Sequence, residues 1–445
     1  MTWQLEMVRV DDGGRLERMP VIELGMIGAP SGVDGVGMHL TTAQYVLSAL
    51  QSAVVTIQEQ ALKARAAEIR RADPTLFLKD YRSRSVQSLF GTLVIHVPRL
   101  VRRGSRLAPP CFFQSSARSS TEYNLLRSRL GAFMSFRMAE GLIGDLFPCA
   151  TGQARSTARR HVLRQAAQIE SVATRTGQTS PQPCAAINLG IDTTFVRSAA
   201  ADGARHHEVL IGVGSNDRAE TVKLGAVIAV TDKPHRIIEH TLHALSHTGE
   251  TQIISFTDGD KMLRGYLKLA GLSAPLLDWA HLARRVQIAK ITAKGLRNVT
   301  IAERRTRPKI LKAMDSIHWR LWHGRIERAR KAMRQVITML RHFECDRPRA
   351  QPVPSARKLR AAIGKLEDYV AGQSAYLTNY GKRQRHGKPV GTATTEGLAN
   401  SLVNQRMNKR QQMRWSAQGA HAVVTVRAHH FNSANATRLA LGHAA

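Results

Sequence analysis

The sequence predicts a mixed α+β protein with a mixed sheet, flanking helices and further helical parts at either side. Three observations lead to this fold class. Apolar and polar residues alternate along 187–230, short helix and strand patterns alternate along 236–293, and residues 296–390 are helical and basic. A length of 445 residues suits two to four domains rather than one.

The predicted sheet begins with three strands, at 187–191, 209–213 and 222–230. Short turns separate them, at Asp202-Gly203 and at 215–217, so the strands form an antiparallel meander. Helices and strands then alternate, in the order helix 236–247, strand 253–257, helix 261–269, strand 276–277 and helix 280–293. Three antiparallel strands followed by alternating helix and strand is the order of an RNase H-like sheet. Residues 185–295 are therefore the first part of a predicted RNase H-like catalytic core.

The N-terminal part is predicted to differ from this core. Residues 1–40 are glycine-rich without periodicity and are interpreted as a loose leader. Residues 41–180 are predicted to bind DNA, and contain the following elements: a helix at 41–71 capped by Thr41 or Thr42, a strand at 89–98, a basic loop at 99–106 and three short helices within 121–171.

A helix-turn-helix is predicted near 121–171, because a short helix and a turn precede a basic helix. That helix carries Arg159, Arg160 and Arg164, which we expect to contact DNA. The same pattern arises in any small helical bundle, so plain packing is the alternative.

Residues 296–390 form a predicted basic helical insertion. Within 301–350 there are 14 Lys and Arg against 5 Asp and Glu, and apolar residues repeat every three or four positions. One face therefore packs on a core, and the other carries Arg325, Arg328 and Lys331. That charged face either contacts DNA, which we favour, or is merely solvated. A C-terminal segment, 391–435, completes the predicted core with a long helix that begins near Thr395.

The charge of the whole chain favours a polyanionic partner. Lys and Arg number 65 against 33 Asp and Glu, which gives a net charge of +32 at pH 7. Double-stranded DNA is the first candidate. An anionic membrane is the second, but no apolar run approaches the ~20 residues of a spanning helix. No signal peptide is recognised, so we expect a cytoplasmic, nucleoid-associated protein. The four cysteines lack zinc-binding spacing and are expected to be reduced core thiols.

Three acidic residues are candidates for metal-dependent phosphodiester chemistry, which needs carboxylates that converge from separate elements. Asp192 lies in the first strand, Asp258 ends the fourth strand, and Glu396 opens the last long helix. Each has an ordinary structural alternative: a partner of an arginine, a helix cap or a first-turn acid. Asp260 follows Asp258 closely and is expected to cap the helix at Lys261. Mg²⁺ or Mn²⁺ suits such oxygen ligands better than Zn²⁺ does.

Several strings of residues carry a resemblance to a known family. They are Leu89-Phe90-Gly91-Thr92, Thr257-Asp258-Gly259-Asp260, Leu277-Asp278-Trp279-Ala280-His281, Thr395-Glu396-Gly397-Leu398 and the stretch from Asn404 to Ser416. Over residues 75–430 the chain resembles bacterial insertion-sequence transposases of the ISKra type, which belong to the DDE superfamily and are akin to Mutator-like enzymes.

The resemblance implies a catalytic triad of Asp192, Asp258 and Glu396 that holds two Mg²⁺ or Mn²⁺ ions. It also matches Asp278 and His281 to an Asp-x-x-His element near the active site, although a capping Asp278 and a buried His281 would give the same pattern. Such enzymes cut element ends and join them to target DNA, which implies a homo-oligomer on DNA. Further DNA contacts are expected from the last basic string, at Lys409, Arg410 and Arg414.

Two departures from the family pattern leave the activity of this copy open. Thr193 and Thr194 follow the first Asp where relatives often have glycine, and Gly397 follows the Glu where relatives often have serine. A non-catalytic DNA-binding protein (a repressor or a decayed transposase) is one alternative function. An RNase H-like structure-specific nuclease is the other.

Overall fold

A computed structural model describes residues 3–10, 13–25, 33, 36–102, 112, 118–148, 155–175, 183–199, 204–344, 354–391, 393–409 and 413–442. The chain divides into two compact units, Met1–Gln165 and Ala166–Ala445. The elements up to residue 175 are β1 (Trp3–Val10), β2 (Leu16–Gly25), α1 (Leu40–Ala72), β3 (Leu76–Ser88), β4 (Gly91–Arg102), α2 (Thr121–Phe133), α3 (Phe136–Leu146) and α4 (Arg155–Arg175).

Within the predicted loose leader 1–40, the described residues 3–10 and 16–25 form two strands, which corrects the prediction for this part. Strands β1 and β2 pair antiparallel as a hairpin. Trp3, Leu5 and Met7 alternate with Gln4 and Glu6 in β1, but this pattern is short and most side chains of the hairpin are exposed. Backbone pairing holds the strands together, and cross-strand ion pairs join Arg9 to Glu17 and Arg18 to Glu6.

The next elements were predicted in part. Helix α1 covers the predicted residues, but its N-cap is His39, so Thr41 and Thr42 lie inside the helix. The predicted strand at 89–98 is β4, which continues through Arg102 and therefore includes residues expected in a loop. Its antiparallel partner β3 was missed, because residues 80–86 of that strand are largely exposed and lack an apolar repeat. The three helices predicted within 121–171 are confirmed as α2, α3 and α4.

The sequence analysis found no apolar run close to the length of a membrane-spanning helix, and helix α1 differs from that expectation. Among the described residues it is the one helix long and apolar enough, by length and composition, to cross a membrane. In the structure, α1 packs on β4, where Val55 meets Ile95 and Val97. Most of its other side chains are partly or fully exposed.

The second unit contains the predicted sheet. Its strands are β5 (Ala186–Arg197), β6 (His206–Asn216), β7 (Thr221–Val227), β8 (Gln252–Thr257) and β9 (Leu276–Leu277). They lie in the order β7-β6-β5-β8-β9, with β5, β6 and β7 antiparallel and with β8 and β9 parallel to β5. The predicted meander and the alternation that follows it are confirmed as a mixed sheet in a mixed α+β fold. The predicted turn at Asp202-Gly203 lies outside the described residues.

Two helices cover one face of this sheet. They are α5 (Pro234–Ala244) and α6 (Lys261–Leu269). The odd-numbered residues Ile187, Leu189 and Ile191 are fully buried and pack with leucines of these helices. Cys184 is buried in this cluster as a free thiol, and the other three cysteines lie outside the described residues. Asp192 therefore points to the opposite face of the sheet, because side chains alternate along a strand.

The predicted insertion is helical. It follows α7 (Trp279–Lys294) and contains α8 (Ile301–Trp322), α9 (Ile326–Phe343), α10 (Pro354–Gly372) and α11 (Tyr380–Arg385). Helices α7 to α10 share one apolar core, in which the predicted stripe on α9 from Ala329 to Phe343 is fully buried. Exposed Arg and Lys occupy the opposite side of α9.

The C-terminal elements return to the sheet. Helix α12 (Ala393–Leu398), a π-helical segment at 399–404 and α13 (Gln405–Met407) form one short run, and α14 (Ala417–Gly442) follows. The long helix predicted to begin near Thr395 thus ends at Met407, and the longer helix is α14, whose type the sequence left open. Gly225 of β7 gives these elements room, because a Cβ there would lie 2.6 Å from Val424 and 2.7 Å from Leu402.

Candidate active site

Two of the predicted catalytic acids lie at the same end of neighbouring parallel strands. The register pairs Gly190 of β5 with Phe256 of β8. Asp192 and Asp258 each follow their member of this pair by two residues. Because β5 and β8 run in the same direction, both residues come to the same end of the sheet, close enough for the Asp258 charge to raise the pKa of Asp192.

The surroundings of Asp192 combine burial with nearby charges of both signs. Its side chain is 16% exposed, its Oδ1 accepts from the Thr193 N–H at 2.8 Å, and its Oδ2 lies 3.7 Å from the His281 Nε2. Burial raises the pKa of Asp192, and the carboxylates of Asp258 and Asp278 raise it further. The Thr193 N–H and His281 lower the pKa, but the net shift is upward.

The loop after β8 assigns different roles to its two acids. The Asp260 side chain accepts from the Met262 N–H and caps α6, as predicted. The Asp258 Oδ1 accepts from the Asp260 N–H at 2.9 Å, which closes a tight local turn. Gly259 has a φ of +96°, so a residue with a side chain would strain this turn. Asp260 is thus used at the start of α6, whereas the charge of Asp258 raises the pKa of Asp192.

Asp278 and His281 contribute to the same site from the start of α7. Asp278 is 1% exposed and caps this helix by accepting from the Ala280 N–H at 2.7 Å. His281 lies in the first turn of α7, and its side chain is 23% exposed beside Asp192. The capping half of the structural alternative is therefore correct, but His281 is only partly buried and contacts a predicted catalytic acid.

The helical insertion holds the loops that carry these acids. The Tyr369 hydroxyl donates to the Asp258 carbonyl oxygen at 2.6 Å, and the Gln373 Nε2 donates to the Gly259 carbonyl oxygen at 3.0 Å. The Tyr380 hydroxyl donates to the Leu277 carbonyl oxygen at 2.8 Å, next to Asp278. Burial raises the pKa of Tyr369 to about 12, so this phenol stays a hydrogen-bond donor at neutral pH.

Helix α12 lies against the same strand as Asp192. Thr395 is fully buried, and its hydroxyl donates to the Gly190 carbonyl oxygen at 3.4 Å. Just before this helix, Gly391 approaches Asp278 so closely that any side chain there would collide with the carboxylate. Residue 396 therefore comes directly after a residue that contacts β5. The side chain of Glu396, the third predicted acid, lies outside the described residues.

A metal site is not complete in the described part of the chain. Among the described residues, no group of three or more His, Cys, Asp or Glu side chains has metal-binding geometry. Asp192 and Asp258 supply hard oxygen donors at one position, and the mutual repulsion that raises the Asp192 pKa is of the kind that a divalent cation relieves. This donor set suits Mg²⁺ or Mn²⁺ better than Zn²⁺.

The predicted DNA-contacting residues lie on several surfaces. Those that are described are all exposed: Arg159, Arg160 and Arg164 on α4, Arg325, Arg328 and Lys331 at the start of α9, and Lys409 and Arg414 near the C-terminus. Within α4, Ala158 and Val162 are buried on the opposite side. The Lys409 Nζ donates to the Asn400 Oδ1 at 2.8 Å. Arg410 lies outside the described residues.

Comparisons with known proteins add little to this geometry. The sequence matches no family model and no curated protein. Among solved structures, the chain is similar to one titled Drosophila P element transposase strand transfer complex, with a TM-score of 0.24 and 10% sequence identity. That similarity covers 70% of this chain and 79% of the other. A likeness of this size does not decide either the fold or the function.

Proposed function

We propose that this protein is a DNA transposase with an RNase H-like catalytic core, which cuts the ends of a mobile element and joins them to target DNA. The observation that carries the proposal is the parallel register of β5 and β8, which brings Asp192 and Asp258 to one end of the sheet. The strand order, three antiparallel strands followed by two parallel ones, is the order that an RNase H-like sheet requires. The net charge of +32 supplies the affinity for DNA.

Asp192, Asp258 and Glu396 would hold the metal ions in this proposal. Mg²⁺ or Mn²⁺ bound there would supply activation of the attacking oxygen and stabilisation of charge on the leaving oxygen of the phosphodiester. The His281 Nε2 lies 3.7 Å from the Asp192 Oδ2, and Asp278 caps the helix that carries His281. Tyr369 and Gln373 hold the backbone of the Asp258 loop. The chain thus positions its acids through contacts that need no substrate.

The metal requirement can be tested through stability as well as activity. Because the pKa of Asp192 is raised in the folded protein, ionisation of this carboxyl lowers the free energy of unfolding when no metal is bound. This destabilisation is absent below the ordinary aspartate pKa, where the carboxyl is protonated in both states, and it is present at neutral pH. We therefore expect Asp192→Asn to raise the Tm at pH 7 in EDTA. Addition of Mg²⁺ should raise the Tm of the wild type and have less effect on this variant.

Asp260→Asn is the matched control for this stability measurement, because it removes a neighbouring carboxylate outside the proposed metal set. It should respond to Mg²⁺ as the wild type does. An Asp192→Asn variant that is less stable than the wild type in EDTA would contradict the unfavourable ionised state of Asp192. A variant that gains as much from Mg²⁺ as the wild type would show that Asp192 does not hold the metal. Full cleavage activity of the wild type in EDTA would contradict metal-dependent chemistry altogether.

Two other functions fit parts of the same structure. A non-catalytic DNA-binding protein would bind DNA and leave it uncut, with or without the three acids. An RNase H-like structure-specific nuclease would need the acids for cleavage but would never join the cut end to a second DNA. An assay with labelled DNA from the flanks of the coding region and a target plasmid separates the three, because it scores binding, cleavage and joining in one reaction.

A further inference from the structure

A cavity of about 580 Å³ opens on the sheet face that carries Asp192. Its floor comes from the central strands, and the loop between α11 and α12 forms one wall. The lining residues that decide its chemistry are Asn188, Ser215, Thr221, Val213, Phe256 and Lys388. A volume of this size lies in the range of small-molecule sites, which run from about 300 to 1,000 Å³.

Three polar side chains cross the floor of the cavity in one row. The register pairs Asn188 of β5 with Ser215 of β6, and Ser215 with Thr221 of β7, so the three side chains stand side by side. None of them has a hydrogen-bond partner within the part of the chain that the structure describes. Together they offer one amide and two hydroxyls, which can both donate and accept.

Apart from Lys388, the remaining described lining of the cavity is apolar or neutral. Val213 and Phe256 lie one row nearer to Asp192, and Pro389 belongs to the loop wall. Lys388 is the one charged side chain among the described lining residues. A floor of neutral hydrogen-bonding groups beside apolar side chains matches a flat heterocycle with donors and acceptors at its edge. A phosphate group would need more cations or backbone N–H groups than this lining supplies.

The polar row also has a defined distance from the candidate active site. Asn188 precedes Asp192 by four residues on the same strand, and both side chains point to the same face. At about 3.3 Å of rise per residue, the row lies about 13 Å from the carboxylate. Gly190, which lies between them, has no side chain to divide the path. A DNA strand whose phosphate reached the acids could therefore place a neighbouring base in the cavity.

We propose that this cavity binds a nucleobase, through the edge groups of Asn188, Ser215 and Thr221 and the apolar side chains of Val213 and Phe256. The proposal rests on the proposed function, since it makes the base part of the DNA that the acids act on. The base could come from an unpaired nucleotide of that strand or from a free nucleotide, and the chemistry of recognition is the same.

The test compares two single-stranded oligonucleotides of equal length and charge, one with all its bases and one made of abasic sites. Binding is measured by fluorescence anisotropy in EDTA, so that no cleavage takes place. We expect the wild type to bind the base-containing strand at least about tenfold more tightly. The variant Asn188→Leu/Thr221→Val, which keeps size but removes the edge groups, should lose most of this preference and keep its affinity for the abasic strand.

The control variant Asn298→Leu/Thr338→Val makes the same chemical changes at exposed positions outside the cavity, and it should keep the full preference. If the double variant in the cavity fails to fold, the near-isosteric Thr221→Val alone should reduce the preference by a smaller factor. A preference that the cavity variants retain in full, or a wild type without any preference, would overturn the proposal. Either result would leave the proposed function intact if the acids are still needed for strand transfer.

A second arm identifies the source of the base. Deoxyadenosine monophosphate is added at up to millimolar concentration, and the Tm of wild type and cavity variant is compared. If the base is supplied by the strand, the free nucleotide should raise the Tm of the wild type only at millimolar concentration. A Tm increase at micromolar nucleotide, lost in the cavity variant, would indicate a free nucleotide as the ligand.

Discussion

Asp258→Asn is expected to reduce cleavage and strand transfer by at least about 10³-fold while DNA binding and folding are retained. The reason is that metal ions at such a site stabilise several kcal/mol of transition-state charge, and about 1.4 kcal/mol corresponds to a factor of ten in rate. Asn has the same size as Asp, and its carbonyl oxygen can still accept from the Asp260 N–H, so the turn is preserved. Rates of cleavage of labelled ends measure the effect.

Asp260→Asn is the control for this prediction, because it changes the same residue type two positions away. The Asp260 side chain caps α6, and Asn is an equally good cap, so activity and stability should stay close to those of the wild type. An inactive Asp260 variant together with an active Asp258 variant would mean that the second catalytic acid is Asp260. Two fully active variants would remove this loop from the active site.

Reversal of charge at the start of α9 is expected to have the second largest effect. Arg325, Arg328 and Lys331 are exposed beside a stripe that is fully buried in the insertion core. If each of them neutralises one phosphate, the slope of log K against log salt should fall by about 0.9 per residue, or roughly 2.7 for the triple change to Glu. Affinity for duplex DNA of any sequence should fall with it, as filter-binding titrations at several salt concentrations can show.

A second triple reversal separates a DNA-binding surface from a general charge effect. Lys233, Arg236 and Lys268 are exposed on or next to α5 and α6, and their change to Glu alters the net charge by the same amount. That control should change the slope much less than the α9 variant does. Equal slopes for the two variants would mean that the basic face of α9 is merely solvated.

The core of the fold could be predicted from the sequence because its strands bury one face. Ile187, Leu189 and Ile191 alternate with polar residues, and this period specifies both the strand and the side to which Asp192 points. Strand β3 could not be recognised in this way, since its residues 80–86 are largely exposed. In the N-terminal hairpin the alternation covers only Trp3 to Met7, and most of the side chains are exposed. A repeat of apolar residues indicates a buried face, so a strand without a buried face is not recognised from such a repeat.

The surroundings of the acids could be predicted only in part. The sequence at 257–260 was enough to predict that Asp260 caps α6 and Asp258 does not, because a helix cap is determined by the residues next to it. The contacts from Tyr369 and Gln373 to the Asp258 loop span more than a hundred residues, and no local pattern indicates them. The polar row in the cavity likewise needs the register of three strands, which alternation alone does not give.

The most direct measurement of the central claim uses labelled DNA ends, taken from the flanks of the coding region and cut in advance, with a supercoiled target plasmid and Mg²⁺ or Mn²⁺. The account predicts that ends with a 3′-hydroxyl become joined to the plasmid, that 3′-deoxy ends do not, and that Asp192→Asn, Asp258→Asn and Glu396→Gln each abolish joining. Cleavage of DNA without any joined product, or joining that survives loss of all three acids, would contradict it.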